Sequence, residues 1–219
     1  MHVRPLAERR WLSLAVLLSL GATLSSCGIL AARTGEEEMA AEQEDEEISI
    51  SEQGVTCGTE RWSVKTGSDA DISKVNLTST TTTIATLVGY TAPSSLPSNN
   101  RVGPVELTTY RLRNVTMTKY KLETDSDYHL VVSDGSRTLI VEIPHPGCVS
   151  GSSPLYSKIQ SARAAFDAKY SATTSFKSSS DSVTIVGVGF WDFNHGQTGV
   201  APNAIELHAV TFFCSGYNC

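Results

Sequence analysis

The carboxylate and imidazole side chains in the second half of the chain are the residues whose types and spacing could carry chemistry. Apolar and other residues alternate in Tyr128–Ser133, in Arg137–Ile143 and in Ile205–Phe213, as is typical of half-buried strands. Residues two apart share one face of a strand, so the polar members of each strand should lie on its outer face. They are Asp127, His129, Glu142, Glu206 and His208.

Such a set of carboxylates and imidazoles suits a divalent metal ion or general acid–base catalysis. The same pattern arises on a solvated strand face, because alternating strands have outward polar residues by default. A third interpretation is a structural lock, in which Glu206 and His208 hydrogen-bond the backbone of the preceding loop. The five residues are therefore candidates for catalysis or metal binding, with no catalytic role assigned. No cofactor is assigned, although these residues could hold a divalent metal.

A polar loop lies between the last two predicted strands, Val183–Phe190 and Ile205–Phe213. Residues 192–203 are rich in turn formers and in groups that can bind a ligand. We expect His195 to fold back from this loop over the polar face. The alternative for Asp192 and His195 is structural, since both can cap turns. The candidate binding residues are Asp192, Asn194, His195, Gln197 and Asn203.

Several common catalytic motifs are missing from the sequence. Serines abound, but the chain has no Gly-x-Ser-x-Gly nucleophile elbow. It has no phosphate-binding glycine loop, no dinucleotide fingerprint and no Cys-x-x-Cys pair typical of zinc sites. Nucleophilic serine catalysis and nucleotide chemistry are therefore not indicated.

A β-hairpin is predicted around the turn Ser133–Ser136, which contains Asp134-Gly135. A symmetric hairpin about this turn pairs Val132 with Arg137. Counting back from that pair sets Asp127 opposite Glu142. Two opposed carboxylates repel each other unless a cation, a shared proton or a basic neighbour intervenes.

The other elements are predicted from periodicity and turn residues. Glu106–Glu123 indicates one bent strand or two short ones, and Pro154–Tyr170 indicates a helix. The apolar stripe of this helix comprises Leu155, Ile159, Ala162, Ala165 and Phe166. Nearer the N-terminus we expect an extended segment around Trp62 and Val64, short helices at Asp69–Val75 and Ile84–Val88, and a loop over Ala92–Pro104.

The order strand, strand, strand, helix, strand, strand resembles the OB-fold. The resemblance implies a mainly β (α+β) domain: a five-stranded OB-like barrel with one helix between strands 3 and 4, here preceded by short N-terminal helices. In that fold, partners bind over the strand 2–3 face and the loops between strands 1–2 and 4–5. Asp192–Asn203 would be the strand 4–5 loop. The resemblance also implies that the last strand runs beside strand 3, which brings Glu206 and His208 to the outer face that carries His129 and Glu142. A β-sandwich fragment with one helix is the alternative.

The C-terminal stretch is similar to a family of uncharacterised bacterial secreted proteins. The residues that carry the likeness are Gly187–Asp192, His195–Gly199, Ala201–Asn203 and Ile205–His208, and it extends back to Glu60–Gly67 and Asp127–Glu142. Members continue with Pro where this chain has Ala209. The resemblance implies no activity, because none is assigned to the family.

The first 27 residues are predicted to be a lipoprotein signal peptide. Arg4, Arg9 and Arg10 precede an apolar run, Trp11–Leu24, that is short for a membrane span. The run ends in Leu24-Ser25-Ser26-Cys27, which resembles a bacterial lipobox. The resemblance implies lipidation of Cys27 and a membrane anchor, and Gly28 favours sorting to the outer membrane. An ordinary secretory signal is the alternative.

Residues 28–55 are predicted to be an acidic, disordered tether, because Glu36–Glu47 holds eight acidic residues and no basic ones. Residues 56–219 are then a single OB-like domain. The chain has a net charge of −6, but from residue 51 onward it has 13 basic and 14 acidic residues. A domain this near neutrality lacks the bulk positive charge of nonspecific nucleic-acid binders.

Four cysteines remain for the exported domain, and an even number there indicates disulfides. Cys214 and Cys219 enclose a small turn, which favours a local pair and leaves Cys57 for Cys148.

The predicted function is that of a lipid-anchored protein of the cell envelope, at the outer membrane or cell surface. Its OB-like domain would bind a protein, a glycan or an oligonucleotide in the envelope or outside the cell. The alternatives are a metal-dependent hydrolase, such as a nuclease, that uses the carboxylates and imidazoles, and a purely structural envelope protein.

Overall fold

Eight strands and three α-helices occur in the residues that the computed structural model describes, namely 48–51, 54–217 and 219. The strands are β1 Ile48–Ile50, β2 Thr56–Gly58, β3 Asn76–Thr82, β4 Thr108–Leu122, β5 Tyr128–Ser133, β6 Thr138–Ile143, β7 Lys177–Trp191 and β8 Ile205–Ser215. The helices are α1 Trp62–Thr66, α2 Ile84–Val88 and α3 Tyr156–Asp167. Short 3-10 turns occur at Ile72–Lys74, Val105–Leu107 and Pro146–Cys148. The mainly β, α+β class is therefore confirmed.

Six strands form one sheet in the order β3-β4-β5-β6-β8-β7, and β4 pairs in addition with β7. The pairs β3–β4 and β6–β8 are parallel, and the others are antiparallel. β4 is a single strand whose register shifts near Asn114 and Thr118, which accounts for its length. The parallel β6–β8 contact brings Glu206 beside Ile140 and so sets the last strand next to the hairpin.

The core lies between the sheet and α3. Leu130 and Val132 of β5 and Leu139 and Val141 of β6 are fully buried there, as their alternation predicts. Phe166 of α3 contacts four aromatic rings in the same core. Most of the predicted helix stripe is buried, and Ala165 alone of its members is exposed.

Several local predictions need correction. The segment around Trp62 and Val64 is helix α1 and not extended, and Gly67 ends the helix in a left-handed conformation at φ 71°. The helix at Ile84–Val88 is confirmed, whereas the one at Asp69–Val75 shrinks to a 3-10 turn. The loop predicted at Ala92–Pro104 holds no helix or strand. β3 was not predicted, since its Thr-rich sequence lacks an apolar alternation.

The hairpin prediction is right about its strands and wrong about their register. Val132 pairs with Leu139, so Glu142 lies opposite His129 and not opposite Asp127. The cause is the turn, which leaves four residues outside the strand pairs. The Asp134 carboxylate accepts hydrogen bonds from the backbone N–H groups of Ser136 and Arg137 and holds this wider turn closed.

Two disulfides join Cys57 to Cys148 and Cys214 to Cys219, as predicted. The predicted signal peptide, Cys27 and most of the predicted tether lie outside the described residues. The tether range nevertheless needs a correction, because Ile48–Ile50 pairs with Thr56–Gly58 and belongs to the folded part. No helix in the described ranges is both long and apolar enough to cross a membrane.

Two buried arginines hold the N-terminal segment against the sheet. Both oxygens of Glu106 accept from the Arg61 guanidinium, at 2.7 and 2.9 Å, and neither side chain is more than 2% exposed. Glu106 also accepts from the backbone N–H of Trp191, at 2.9 Å. Arg101 forms an equivalent buried pair with Asp69, at 2.8 Å. Fixed in this way, α1 can pack over the β8 region.

Candidate functional site

The five predicted carboxylates and imidazoles meet in one place, which we call the carboxylate–imidazole cluster: Asp127, His129, Glu142, Glu206 and His208. His208 Nδ1 lies 2.9 Å from Glu142 Oε2 and 3.1 Å from Glu206 Oε1, and its Nε2 lies 3.2 Å from Asp127 Oδ2. His129 Nδ1 lies 3.2 Å from Glu142 Oε1. Glu142 therefore presents one oxygen to each imidazole.

The sheet topology explains this convergence. His129 on β5 faces Glu142 on β6 across an antiparallel pair, and parallel pairing with β6 places Glu206 on the adjacent strand. Asp127 sits just before β5, where its Oδ1 accepts from the backbone N–H of His145 at 3.0 Å. His208 follows Glu206 by two residues and so shares its face.

The cluster is buried, which contradicts the expectation of an outer, solvated face. Its five residues are between 0% and 6% exposed. The face is covered from one side by the Asp192–Asn203 loop. From another side Phe190 contacts the His208 ring at 5.6 Å between centroids, and the Arg61 guanidinium lies 4.7 Å over Phe190. Alternation in a strand identifies its two faces but does not show which segments cover them.

Burial and close charges shift the pKa of every member of the cluster. Burial raises the pKa of Asp127, and burial together with the Glu142 charge raises that of Glu206 well above its usual value. Burial alone would raise the pKa of Glu142, but His208 and His129 hold it well below its usual value. The cluster thus concentrates negative charge on the carboxylate that both imidazoles face.

The same contacts raise the pKa of the two imidazoles. Burial alone would lower the pKa of both rings, but Glu123 and Glu142 raise that of His129, and Glu142 and Asp127 raise that of His208, well above the usual value. The buried ammonium of Lys65 on α1 also acts on Asp127 and Glu142 and lowers their pKa. The site is therefore an ionic cluster and not an apolar core with isolated polar groups.

Glu123 is a member of this site that the sequence interpretation missed. Its Oε1 lies 3.0 Å from His129 Nδ1, closer than the Oε1 of Glu142. Glu123 follows the end of β4, and its backbone N–H donates to the Asp127 carbonyl across the turn into β5. A tight β4–β5 turn between Glu123 and Asp127 was the signal that could have revealed it.

The Asp192–Asn203 loop is held in place at several points. The Asn203 amide donates to the carbonyls of Leu87 and Tyr90, at 3.1 and 3.0 Å. His129 Nε2 lies 3.0 Å from the Thr198 carbonyl oxygen. Gly199 has a φ of 93° and lies close to Val131. A Cβ atom added at Gly199 would be 2.5 Å from the Val131 side chain. A glycine is required here both for the backbone conformation and for the close approach.

His195 does not fold over the cluster, so that prediction is wrong. Its side chain is 52% exposed, and its Nε2 lies 3.6 Å from Glu60 Oε2. Thr198 of the loop contacts the cluster through His129, and the charge of Asp192 also acts on the cluster, since it raises the pKa of Glu206. The lock geometry also differs from the expectation, because His208 and Glu206 contact each other and other side chains of the cluster, not the loop backbone.

The remaining candidate binding residues have separate roles in the loop. The Gln197 amide donates to Asp192 Oδ2 and to the Phe193 carbonyl, at 3.3 and 3.0 Å. Asn194 Oδ1 accepts from the Gly196 N–H and closes a local turn. Phe193, which sequence reasoning did not single out, is 39% exposed at the tip. The sequence does show an aromatic residue between the polar loop residues Asp192 and Asn194, and this could have marked Phe193 as a candidate binding residue.

A surface cavity of about 440 Å³ lies elsewhere, beside the Cys57–Cys148 disulfide. Among the described residues, its lining is made of serine, glycine, Trp62, Val149 and the disulfide. None of these described lining residues is a carboxylate or an imidazole of the kind that acid–base or metal chemistry would need.

Comparison of the chain with protein-family models and with curated proteins finds no match.

Proposed function

We propose that this protein is an exported binding module with an OB-like barrel, and that the tip of the Asp192–Asn203 loop recognises its ligand. The barrel is supported by the pairings β4–β5, β5–β6, β6–β8, β8–β7 and β7–β4, which return to the strand where they began. Helix α3 falls between β6 and β7, where the OB-fold has its helix. This order makes Asp192–Asn203 the strand 4–5 loop, a ligand-binding loop in OB-folds.

The observation that carries the proposal is a fixed loop with an exposed tip. Asn203 and Thr198 attach the loop to its surroundings, while Phe193 and His195 remain 39% and 52% exposed. Their ring centroids are 6.3 Å apart. A loop that is already ordered loses little conformational entropy when it binds, which favours affinity.

The chemistry of the tip fits an oligosaccharide. Phe193 offers an apolar ring, His195 lies beside it, and Glu60 Oε2 lies 3.6 Å from His195 Nε2, so hydrogen-bonding groups adjoin the aromatic side chain. Small binding sites commonly combine an aromatic surface with a few convergent polar groups. The near neutrality of the folded part disfavours a nucleic-acid ligand, because phosphate contacts dominate such binding.

Two other modes of action are less well supported by the geometry. The outer face of β5 and β6 would be the strand 2–3 surface of an OB-fold, yet Val131, Ile140 and His129 are at most 2% exposed. The same burial argues against a hydrolase that uses the carboxylate–imidazole cluster, since a substrate would have to touch groups that other residues cover.

We expect the mature protein to bind soluble cell-wall oligosaccharides, and replacement of Phe193 by alanine to weaken binding about tenfold or more, as for the loss of an aromatic anchor. Titration calorimetry on the full mature chain measures this. The matched control is Phe212→Ala, which removes a phenylalanine of similar exposure, 42%, from β8. Equal affinity of wild type and Phe193→Ala for every oligosaccharide tested would contradict the proposal, as would binding of oligonucleotides in their place.

The proposal includes a location in the cell envelope, with Cys27 as the site of a lipid anchor. Cys27 follows an apolar segment and precedes the acidic stretch Glu36–Glu47. Replacing Cys27 with serine should move the protein from the membrane fraction to the soluble fraction of exported protein. Cell fractionation followed by detection of the protein measures this, and continued membrane association of the Cys27→Ser protein would rule out the anchor.

A further inference from the structure

We propose that Glu123, His129 and Glu142 form a binding site for one divalent metal ion of the zinc class. The three residues present one ligand atom each, all within 4.8 Å of one another. The proposal is independent of the ligand of the loop tip, because it rests on a different set of residues and contacts.

The tautomer of His129 is the first argument. Its Nε2 lies 3.0 Å from the Thr198 carbonyl oxygen, which can only accept, so Nε2 carries the hydrogen. In the neutral ring, the lone pair is then on Nδ1, which faces the Oε1 atoms of Glu123 and Glu142. Three lone pairs that converge in this way would be stabilised by a cation between them.

The geometry distinguishes a metal ion from a proton. Two ligand atoms that bind one zinc ion at about 2.1 Å and at the tetrahedral angle are about 3.4 Å apart, and each lies about 35° off the other's bond axis. The observed separations from His129 Nδ1 are 3.0 Å and 3.2 Å. Despite these short distances, neither His129 Nδ1 nor Glu123 Oε1 makes a hydrogen bond within the described part of the chain. A proton on Nδ1 would be attracted by both carboxylates, as the raised pKa of His129 reflects, but it would have no well-directed hydrogen bond to either of them.

The surroundings of His129 are those of a metal ligand. Histidines that bind metals almost always donate their other ring N–H to a carbonyl or carboxylate, which fixes the ring. Thr198 supplies that carbonyl here. His129 is 1% exposed, and the side chains of Glu123 and Glu142 are 7% and 8% exposed. An ion in this enclosed position would be structural.

The nature of the ligands limits the choice of ion. One imidazole with two carboxylates suits Zn²⁺, and Mn²⁺ less well, whereas Mg²⁺ and Ca²⁺ prefer oxygen ligands alone. The nearest competing charge is Lys121, whose Nζ lies 3.3 Å from Glu123 Oε1. This ammonium also faces the Phe176 ring, at 5.0 Å, and that ring lies 5.5 Å from the His129 ring.

The ion would act on the loop through His129. Because the metal fixes Nδ1, it also fixes the direction of the Nε2–H bond to Thr198. Thr198 belongs to the loop that ends in the exposed Phe193. The site would thus keep the loop closed over the cluster.

The experiment is a titration of the full mature chain with Zn²⁺ after chelator treatment, followed by calorimetry and elemental analysis. We expect one equivalent of Zn²⁺ per chain and a higher melting temperature with the ion than without it. Glu123→Gln should weaken binding by at least about 100-fold, on the scale seen for disturbed metal sites. Glu206→Gln is the matched control, because Glu206 is equally buried and contacts only His208 among the imidazoles.

Three results would overturn the proposal. One is the failure of the wild type to bind Zn²⁺ or Mn²⁺ at micromolar concentrations, which would leave a protonated His129 as the cation. Another is loss of binding in Asp127→Asn with retention in Glu123→Gln, since Asp127, Glu142 and His208 form a neighbouring group of possible ligands. The third needs no variant: X-ray absorption of the zinc-loaded wild type should show one imidazole nitrogen with oxygens at about 2.0–2.2 Å, and two imidazoles would exclude the site.

Discussion

Removing the Cys57–Cys148 disulfide should lower the free energy of unfolding by about 4–5 kcal/mol, the value expected from chain entropy for a link across some 90 residues. The two cysteines are separated by 91 positions, and the link joins β2 to the turn that follows β6. Without it, the unfolded chain gains the freedom of a long loop, whereas the folded state keeps its sheet. Urea denaturation of the Cys57→Ser/Cys148→Ser protein measures the loss.

The second disulfide provides the comparison. Cys214 and Cys219 are five positions apart, so the same entropy argument gives only about 2 kcal/mol for the Cys214→Ser/Cys219→Ser protein. Equal losses in the two double variants, or a larger loss for the short loop, would contradict the interpretation that loop length determines the stabilisation.

Replacing Glu106 with glutamine should destabilise the fold by about 3–5 kcal/mol, because it leaves the buried Arg61 guanidinium without its counter-charge. Glu106 is fully buried and accepts from Arg61 as well as from the backbone N–H groups of Val102 and Trp191. Glutamine has nearly the same shape but supplies one acceptor oxygen only. The change therefore removes charge and hydrogen bonds without opening a large cavity.

A double-mutant cycle identifies the ion pair as the cause. Arg61→Met/Glu106→Gln should be less destabilised than the sum of the single changes, by about 0.5–3 kcal/mol, because no buried charge remains uncompensated. Lys74→Gln is a control from the surface: its ammonium is 64% exposed and pairs with Asp71 at 2.6 Å. Exposed pairs contribute at most about 1 kcal/mol. Additive losses within the Arg61–Glu106 cycle would show that the two residues act independently.

The convergence of the cluster could be predicted from strand parity together with the OB-like strand order, which sets the last strand beside β6. A shift of the hairpin register by two residues leaves every side chain on its original face. His129 and Glu142 therefore share a face both in the predicted register and in the observed one. The register itself was out of reach, because it depends on Asp134 closing a four-residue turn, and turns of different lengths share the same Asp-Gly signal.

Burial of the cluster was not predictable from the strands. It depends on contacts between distant segments, such as Thr198 over His129 and Arg61 over Phe190. The helix at Trp62–Thr66 was misassigned for a related reason. Five residues are too few for a helical period to emerge, and left-handed conformations at Arg61 and Gly67 define its ends.

The position of the first disulfide has a mechanical consequence for a chain that is held from its N-terminal side. Tension that arrives at Ile48 first meets the short β1–β2 pair and then Cys57. From there the covalent link transmits the force directly to Cys148, so the chain between the two cysteines bears no load. α1, β3, β4, β5 and β6 all lie within that segment. The hairpin that carries His129 and Glu142 is thereby shielded from a pull that would otherwise extend it.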